Sequence, residues 1–303
     1  MPQPGATTPS TIISCLLFSV YPFTQPEPPL DPNSLLAALL LGIIEGVTEF
    51  LPISSTGHLL LAGRWLGARS DLFNIAIQAG AILAVVLIYR QRLLGLAMSF
   101  IKPGEAAVFG QAPRDYAYKL VLAFAVTSVL GIAVKALGWE LDNAVAPIAW
   151  ALVLGGAWML AAEHFAAKRA QVLGERADIT WLVAVLVGVA QVVAGVFPGT
   201  SRSAATIFVA LLFGVTNRAA ATEFAFLVGI PTMFAATGYE MVELYAEGGL
   251  AGEDWNALAV AFVASAITAF VSVKWLLRYI QSNRFTAFAI YRFALGAALL
   301  VFV

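Results

Sequence analysis

From position 35 onward the chain reads as apolar segments separated by short polar stretches. Residues 73–89, 119–138, 144–165, 219–239, 255–278 and 285–303 are each long and apolar enough to cross about 30 Å of hydrocarbon as helices. Arg90 and Arg92 are expected to end the first of these runs. Two segments behave differently. Residues 35–68 break at Pro52 and resume as a short apolar piece over 58–68; residues 180–214 break at Pro198-Gly199 and resume over 203–214. Proline cannot continue a helix, so each predicts a helix-break-helix too short to span on either side. Residues 11–20 are apolar but too short to cross, and no Lys or Arg precedes them. The first 33 residues therefore read as an extension lying at the interface rather than a signal peptide.

The two broken segments match each other. With Leu35 set on Trp181 and that offset kept, Gly42 meets Gly188, Glu45 meets Gln191, Pro52 meets Pro198 and Ser55 meets Ser201. Each is followed by a long apolar segment led by aromatics, Phe73 in one and Phe224 in the other. This is an internal repeat, about 34–140 and about 180–303, within a single membrane domain over 34–303. The polar loops give its sense. Loops 90–118 and 166–178 are rich in Lys and Arg and are expected on the cytoplasmic side. Loops 139–143 (Glu140, Asp142) and 240–254 (Glu240, Glu243, Glu247, Glu253, Asp254) are acidic and expected outside. The first break then dips in from outside and the second from inside. The predicted fold is all-α: a polytopic integral membrane protein with two inverted-topology repeats, each holding a re-entrant helix-loop-helix. Inverted repeats with broken helices place a polar site where the breaks meet.

Composition agrees. Of 303 residues, 60% are apolar and 12% charged, against about 25% charged in soluble domains. That shell is too thin for a water-soluble enzyme, and a net charge of -1 does not suit a nucleic-acid partner. The lone cysteine, Cys15, excludes a disulfide framework and a cysteine-based zinc site.

The chemistry sits at the breaks. Glu45 and Glu49 are four apart and share a helix face in apolar surroundings. Two like charges there need a cation, a proton or an arginine between them, so the pair is either a divalent metal site or a carboxylate pair sharing a proton. Ser54, Ser55, Thr56 and His58 follow Pro52. One hydroxyl would cap the next helix, and this run offers three together with an imidazole suited to acid/base work near neutral pH. The second break carries Ser201, Arg202 and Ser203, with Thr206 one turn on. Arg202 is the only basic residue between Arg176 and Arg218. A permanent cation at that depth wants an anion, either Glu45 or Glu49 or a phosphate that its fork would grip in bidentate fashion. His164, beside Glu163, reads as interfacial. Together the breaks suit metal-assisted phosphoryl transfer, with a hydroxyl or a water attacking phosphorus.

Glu45-Gly-Val-Thr-Glu49-Phe-Leu-Pro-Ile-Ser-Ser-Thr-Gly-His58 resembles the first signature of the bacterial undecaprenyl-pyrophosphate phosphatase family, of the bacitracin-resistance type. Pro198-Gly-Thr-Ser-Arg-Ser203 with Thr206 resembles its second, and the likeness runs from about Leu35 to the C-terminus, through Glu223-Phe-Ala-Phe-Leu and Ala289-Ile-Tyr-Arg-Phe293. The resemblance implies a multi-pass enzyme of the bacterial inner (plasma) membrane. It would remove the terminal phosphate of undecaprenyl diphosphate, recycle the carrier for peptidoglycan synthesis, and depend on Mg²⁺ or Ca²⁺. It assigns Glu45 and Glu49 to the metal and diphosphate, and Ser55 as candidate nucleophile with Ser54 and Thr56 lining. His58 becomes the acid/base, and Arg202 the phosphate ligand flanked by Ser201, Ser203 and Thr206. A homodimer is one compatible arrangement.

Two rivals are open at this point. A polyprenyl-phosphate transporter or flippase would share the architecture, although binding an anion does not call for two carboxylates. The other lipid-phosphatase class needs a second histidine after Arg202, and the chain has none.

Overall fold

A computed structural model describes residues 34–67, 69–102, 107–138, 145–246, 248 and 253–302. The extension over 1–33, with Cys15 and the apolar stretch 11–20, lies outside the described residues, as do Glu140, Asp142 and Glu247. The described chain is helical: α1 (Leu35–Thr48), α2 (Ser55–Leu66), α3 (Asp71–Met98), α4 (Pro113–Ala136), α5 (Val145–Leu173), α6 (Trp181–Val196), α7 (Arg202–Leu212), α8 (Arg218–Ala246), α9 (Trp255–Ser282) and α10 (Thr286–Phe302). Val108 and Gln111 form an isolated bridge.

Helix starts follow the capping residues. Ser34, Ser70, Thr180 and Asp254 each accept a backbone N–H of the first turn and cap α1, α3, α6 and α9. Among the described residues five helices are long and apolar enough to cross a membrane: α3, α4, α5, α8 and α9. The protein is a polytopic membrane protein, and burial orders its helices. In the apolar window of α3 and of α8, 61% of residues are buried; in α4 the share is 22%. So α3 and α8 form the centre, while α4, α5 and α9 turn apolar faces such as Val129, Ile132, Leu154 and Ile267 outward, where lipid replaces protein as their solvent.

Two expectations are corrected. Arg90 and Arg92 do not end α3, which continues to Met98. Arginine is a good helix former, and Arg92 places its guanidinium on Glu223 of α8 at 2.7 Å. Glu240 and Glu243 lie on α8, not in a loop. The last apolar segment forms α10, 17 residues long within the described residues.

Ion pairs show which helix ends lie together. Arg92 near the C-terminal end of α3 meets Glu223 near the start of α8, so these central helices are antiparallel. Lys135 at the end of α4 meets Glu243 near the end of α8. At the opposite end of the molecule Arg218 pairs with Glu163, and Arg169 caps the last carbonyls of α7 at Leu211 and Leu212. The α1–α2 hairpin begins and ends by the start of α3, where Arg69 donates to the Ser34 carbonyl at 3.2 Å. The α6–α7 hairpin begins and ends by the start of α8, where Thr216 and Asn217 donate to the Arg176 carbonyl. The hairpins therefore enter from opposite ends.

Their packing corresponds. Helix α1 lies along α9 and α6 along α4. A Cβ on Gly42 would sit 2.3 Å from the Ala261 carbonyl oxygen, and one on Gly188 would sit 2.6 Å from that of Ala123. The two aligned glycines thus let two corresponding helix pairs approach at backbone distance.

Candidate active site

Each break ends in the same local device. Ser54 has φ 74° and ψ 101°, and Ser201 has φ 69° and ψ 114°. Left-handed backbone is costly for a residue with a Cβ. In both cases the hydroxyl caps the next helix, accepting from Gly57 N at 3.4 Å and from Ala204 N at 3.3 Å. This corrects the register read from sequence. The offset that pairs the prolines sets Ser55 on Ser201, but the backbone pairs Ser54 with Ser201 and Ser55 with Arg202. The second break has one more residue between proline and cap. The equivalent first positions of α2 and α7 therefore carry a hydroxyl and a guanidinium.

Those two groups meet on one carboxylate. Glu49 ends α1, with its side chain 7% exposed. Its Oε2 accepts from the Ser55 hydroxyl at 2.5 Å, and its Oε1 accepts from Arg202 Nη2. One carboxylate thus ties the first break to the second. A further tie runs from Ser203 Oγ to the Leu51 carbonyl at 3.1 Å.

Glu45, one turn back, is buried, and its Oε2 has no hydrogen-bond partner among the described residues. It and Ser55 line a cavity of about 1200 Å³, with Thr56, Asn74 and Gln78 along its wall and Lys135, Glu240 and Glu243 at its far end. A buried carboxylate oxygen without a donor invites a cation. No group of three or more His, Cys, Asp or Glu that could hold a metal occurs among the described residues. Glu45 and Glu49 are hard carboxylate oxygen donors of the kind that suits Mg²⁺ or Ca²⁺.

The remaining expected residues are placed less centrally. Thr56 is exposed in the cavity wall. His58 donates Nδ1–H to the Ser54 carbonyl at 2.7 Å, which leaves Nε2 to accept from the Tyr291 hydroxyl at 2.6 Å; the two rings stack. Neither hydrogen bond goes to Glu49, Ser55 or Arg202. Ser201 and Ser203 share a hydrogen bond at 3.1 Å. Thr206 is buried and spends its hydroxyl on the carbonyls of Arg202 and Ser203, one turn back in its own helix. His164 is exposed.

One buried residue at the site was given no role by the sequence reading. Arg292 on α10 is fully buried and donates to the carbonyls of Ala151, Leu152, Pro52 and Gly199. It is the only charged residue after Arg284, so the argument applied to Arg202 would have found it.

A family model described as bacitracin resistance protein BacA matches residues 38–298. The chain belongs to this family. Similar relatives include an undecaprenyl-diphosphatase of Rhizobium etli (strain CIAT 652), 63% identical over 263 residues that cover 87% of this chain and 95% of that protein. Another, from Xanthomonas euvesicatoria pv. vesicatoria (strain 85-10), is 60% identical over 271 residues, covering 89% of this chain and 98% of that protein. The region matched by the family model contains both breaks and α10 as far as residue 298.

Proposed function

We propose that the Glu49, Ser55 and Arg202 cluster is the centre at which this enzyme works. The chain is an undecaprenyl-diphosphatase that removes the terminal phosphate of undecaprenyl diphosphate and returns the monophosphate carrier to cell-wall synthesis. The observation that carries the site assignment is the Glu49 carboxylate, which accepts from Ser55 of one break and Arg202 of the other.

In the free enzyme Arg202 is matched by Glu49. A diphosphate offers the fork a more highly charged and bidentate partner. As Arg202 turns to it, Glu49 gives up that ion pair, and its carboxylate is left to accept the Ser55 proton. The Ser55 oxygen then attacks the terminal phosphorus, and the anhydride bond to the lipid monophosphate breaks. Water releases the phosphate from the serine. Arg202 and the hydroxyls of Ser201 and Thr56 face charge that grows on the equatorial oxygens. Ser54 and Ser203 hold the two breaks. His58 braces the start of α2, and an acid/base role for it requires Tyr291 to release Nε2. Glu45 and Glu49 would hold Mg²⁺ or Ca²⁺, which when bound supplies charge to the diphosphate oxygens.

Lys135, Glu240 and Glu243 place one end of the cavity away from Arg92, Arg169 and Arg218. With basic loops on the cytoplasmic side, that end lies toward the outer face of the bacterial inner membrane. The opposed hairpins and the matching glycine contacts support inverted-topology repeats. Exposed apolar flanks on α4 and α9 leave room for a homodimer. The test is phosphate release by the purified chain from undecaprenyl diphosphate, with and without Mg²⁺ or Ca²⁺. Metal-stimulated release with monophosphate lipid as product supports the reading. Binding without release would favour a transporter.

A further inference from the structure

We propose that Arg292 is a positioning residue that holds the two breaks in register for phosphate removal. This rests on the assignment of Glu49, Ser55 and Arg202 as the reacting cluster. A fully buried arginine in a membrane protein ordinarily finds a carboxylate, because an unpaired charge there is costly. The hydrogen-bond partners of Arg292 are instead four carbonyls. Two of them, Ala151 and Leu152, belong to α5, which packs along α10. The other two belong to the breaks: Pro52 O at 3.4 Å and Gly199 O at 3.2 Å.

The choice of carbonyls has a physical cause. Where a proline stops a helix, carbonyls lose their partners within the helix, and no water is at hand in a membrane interior. Both breaks create such carbonyls, and one planar fork with five donors reaches an acceptor in each. Pro52 lies three residues before Ser55, and Gly199 three before Arg202. A shift of the guanidinium therefore moves the hydroxyl and the phosphate ligand relative to each other. The surrounding backbone is cut to fit. A Cβ on Gly155 would lie 2.1 Å from Arg292 Nη2, and one on Gly199, where φ is +90°, would lie 2.7 Å from the Ile148 carbonyl oxygen. The preceding residue, Tyr291, holds His58 from the same helix. So α10, which adds nothing to the reacting cluster, touches both sides of it.

The test uses the full chain, purified, with Arg292→Met, Arg292→Lys, Gly155→Ala and Arg202→Ala compared in phosphate release from undecaprenyl diphosphate and kcat separated from KM. Misplacement predicts that Arg292→Met lowers kcat by about a hundredfold while KM stays within about threefold. Lysine keeps the charge but cannot span both carbonyls, so Arg292→Lys should not restore turnover. Gly155→Ala keeps the arginine and displaces its flexible end, and should lower kcat in the same direction. A folded Arg292→Met enzyme with kcat within about threefold of the parent overturns the proposal, as does full recovery with lysine. If the Met variant does not fold, the Lys and Gly155→Ala variants decide. An active Arg202→Ala enzyme would overturn the site assignment itself. An inactive one beside a fully active Arg292→Met would overturn only the role of Arg292.

Discussion

Glu49 carries more of this site than its partners because it is bonded to both Ser55 of the first break and Arg202 of the second. Glu49→Gln keeps its size and removes the charge that Arg202 and Ser55 share, and should lower kcat by about 10²–10³-fold, read in phosphate release with folding checked by gel filtration. Ser55→Ala tests the nucleophile. Loss comparable to Glu49→Gln supports serine attack, and substantial remaining turnover assigns the attack to water. His58 sits between the Ser54 carbonyl and Tyr291, off the reacting cluster. His58→Gln should therefore cost at least about tenfold less in kcat than Glu49→Gln, and an equal loss would return the histidine to the acid/base role. Residue types at the first break were readable in the sequence because carboxylates and an imidazole beside a proline have few other uses inside a membrane. The inward folding of Ser203 and Thr206 was not, since a hydroxyl in a helix can face a ligand or bond its own backbone, and sequence does not distinguish them.

Helix breaks depend on backbone that only certain residues tolerate. At Gly199 a side chain meets both a left-handed φ and the Ile148 carbonyl, so Gly199→Ala should cost about 1–3 kcal/mol and lower turnover as well. Gly42→Ala tests packing alone. Its methyl would press on the Ala261 backbone of α9, and the helices must part, lowering thermal stability in detergent by about 1–3 kcal/mol. The broken helices and their glycines were visible as a repeat because proline and glycine are constrained by backbone geometry. The one-residue difference in register between the breaks was hidden. Serine stands at both candidate positions of the first break, Ser54 and Ser55, and only the dihedral angles reveal that Ser54 is the cap. The run of α3 past Arg90 and Arg92 was missed because charge ends a membrane span without ending a helix.

Assembled, the molecule brings an acid-bearing hairpin and an arginine-bearing hairpin in from opposite ends and joins them beside a cavity of about 1200 Å³. Family, class and membrane character were legible in composition and motif. The clamp by Arg292 was not, because it depends on carbonyl positions that exist only after the described helices have packed. With two carboxylates and no larger ligand cluster among the described residues, the metal should be held weakly without substrate. A strong chelator should abolish turnover, and added Mg²⁺ or Ca²⁺ should restore it. The convergence of both hairpins on one headgroup is tested most directly by a double-mutant cycle of Glu49→Gln and Arg202→Met in phosphate release. If both side chains serve the same phosphoryl transfer, the double variant will be no slower than the slower single variant, within about threefold. Losses that multiply, or single variants that keep near-parental turnover, would contradict it.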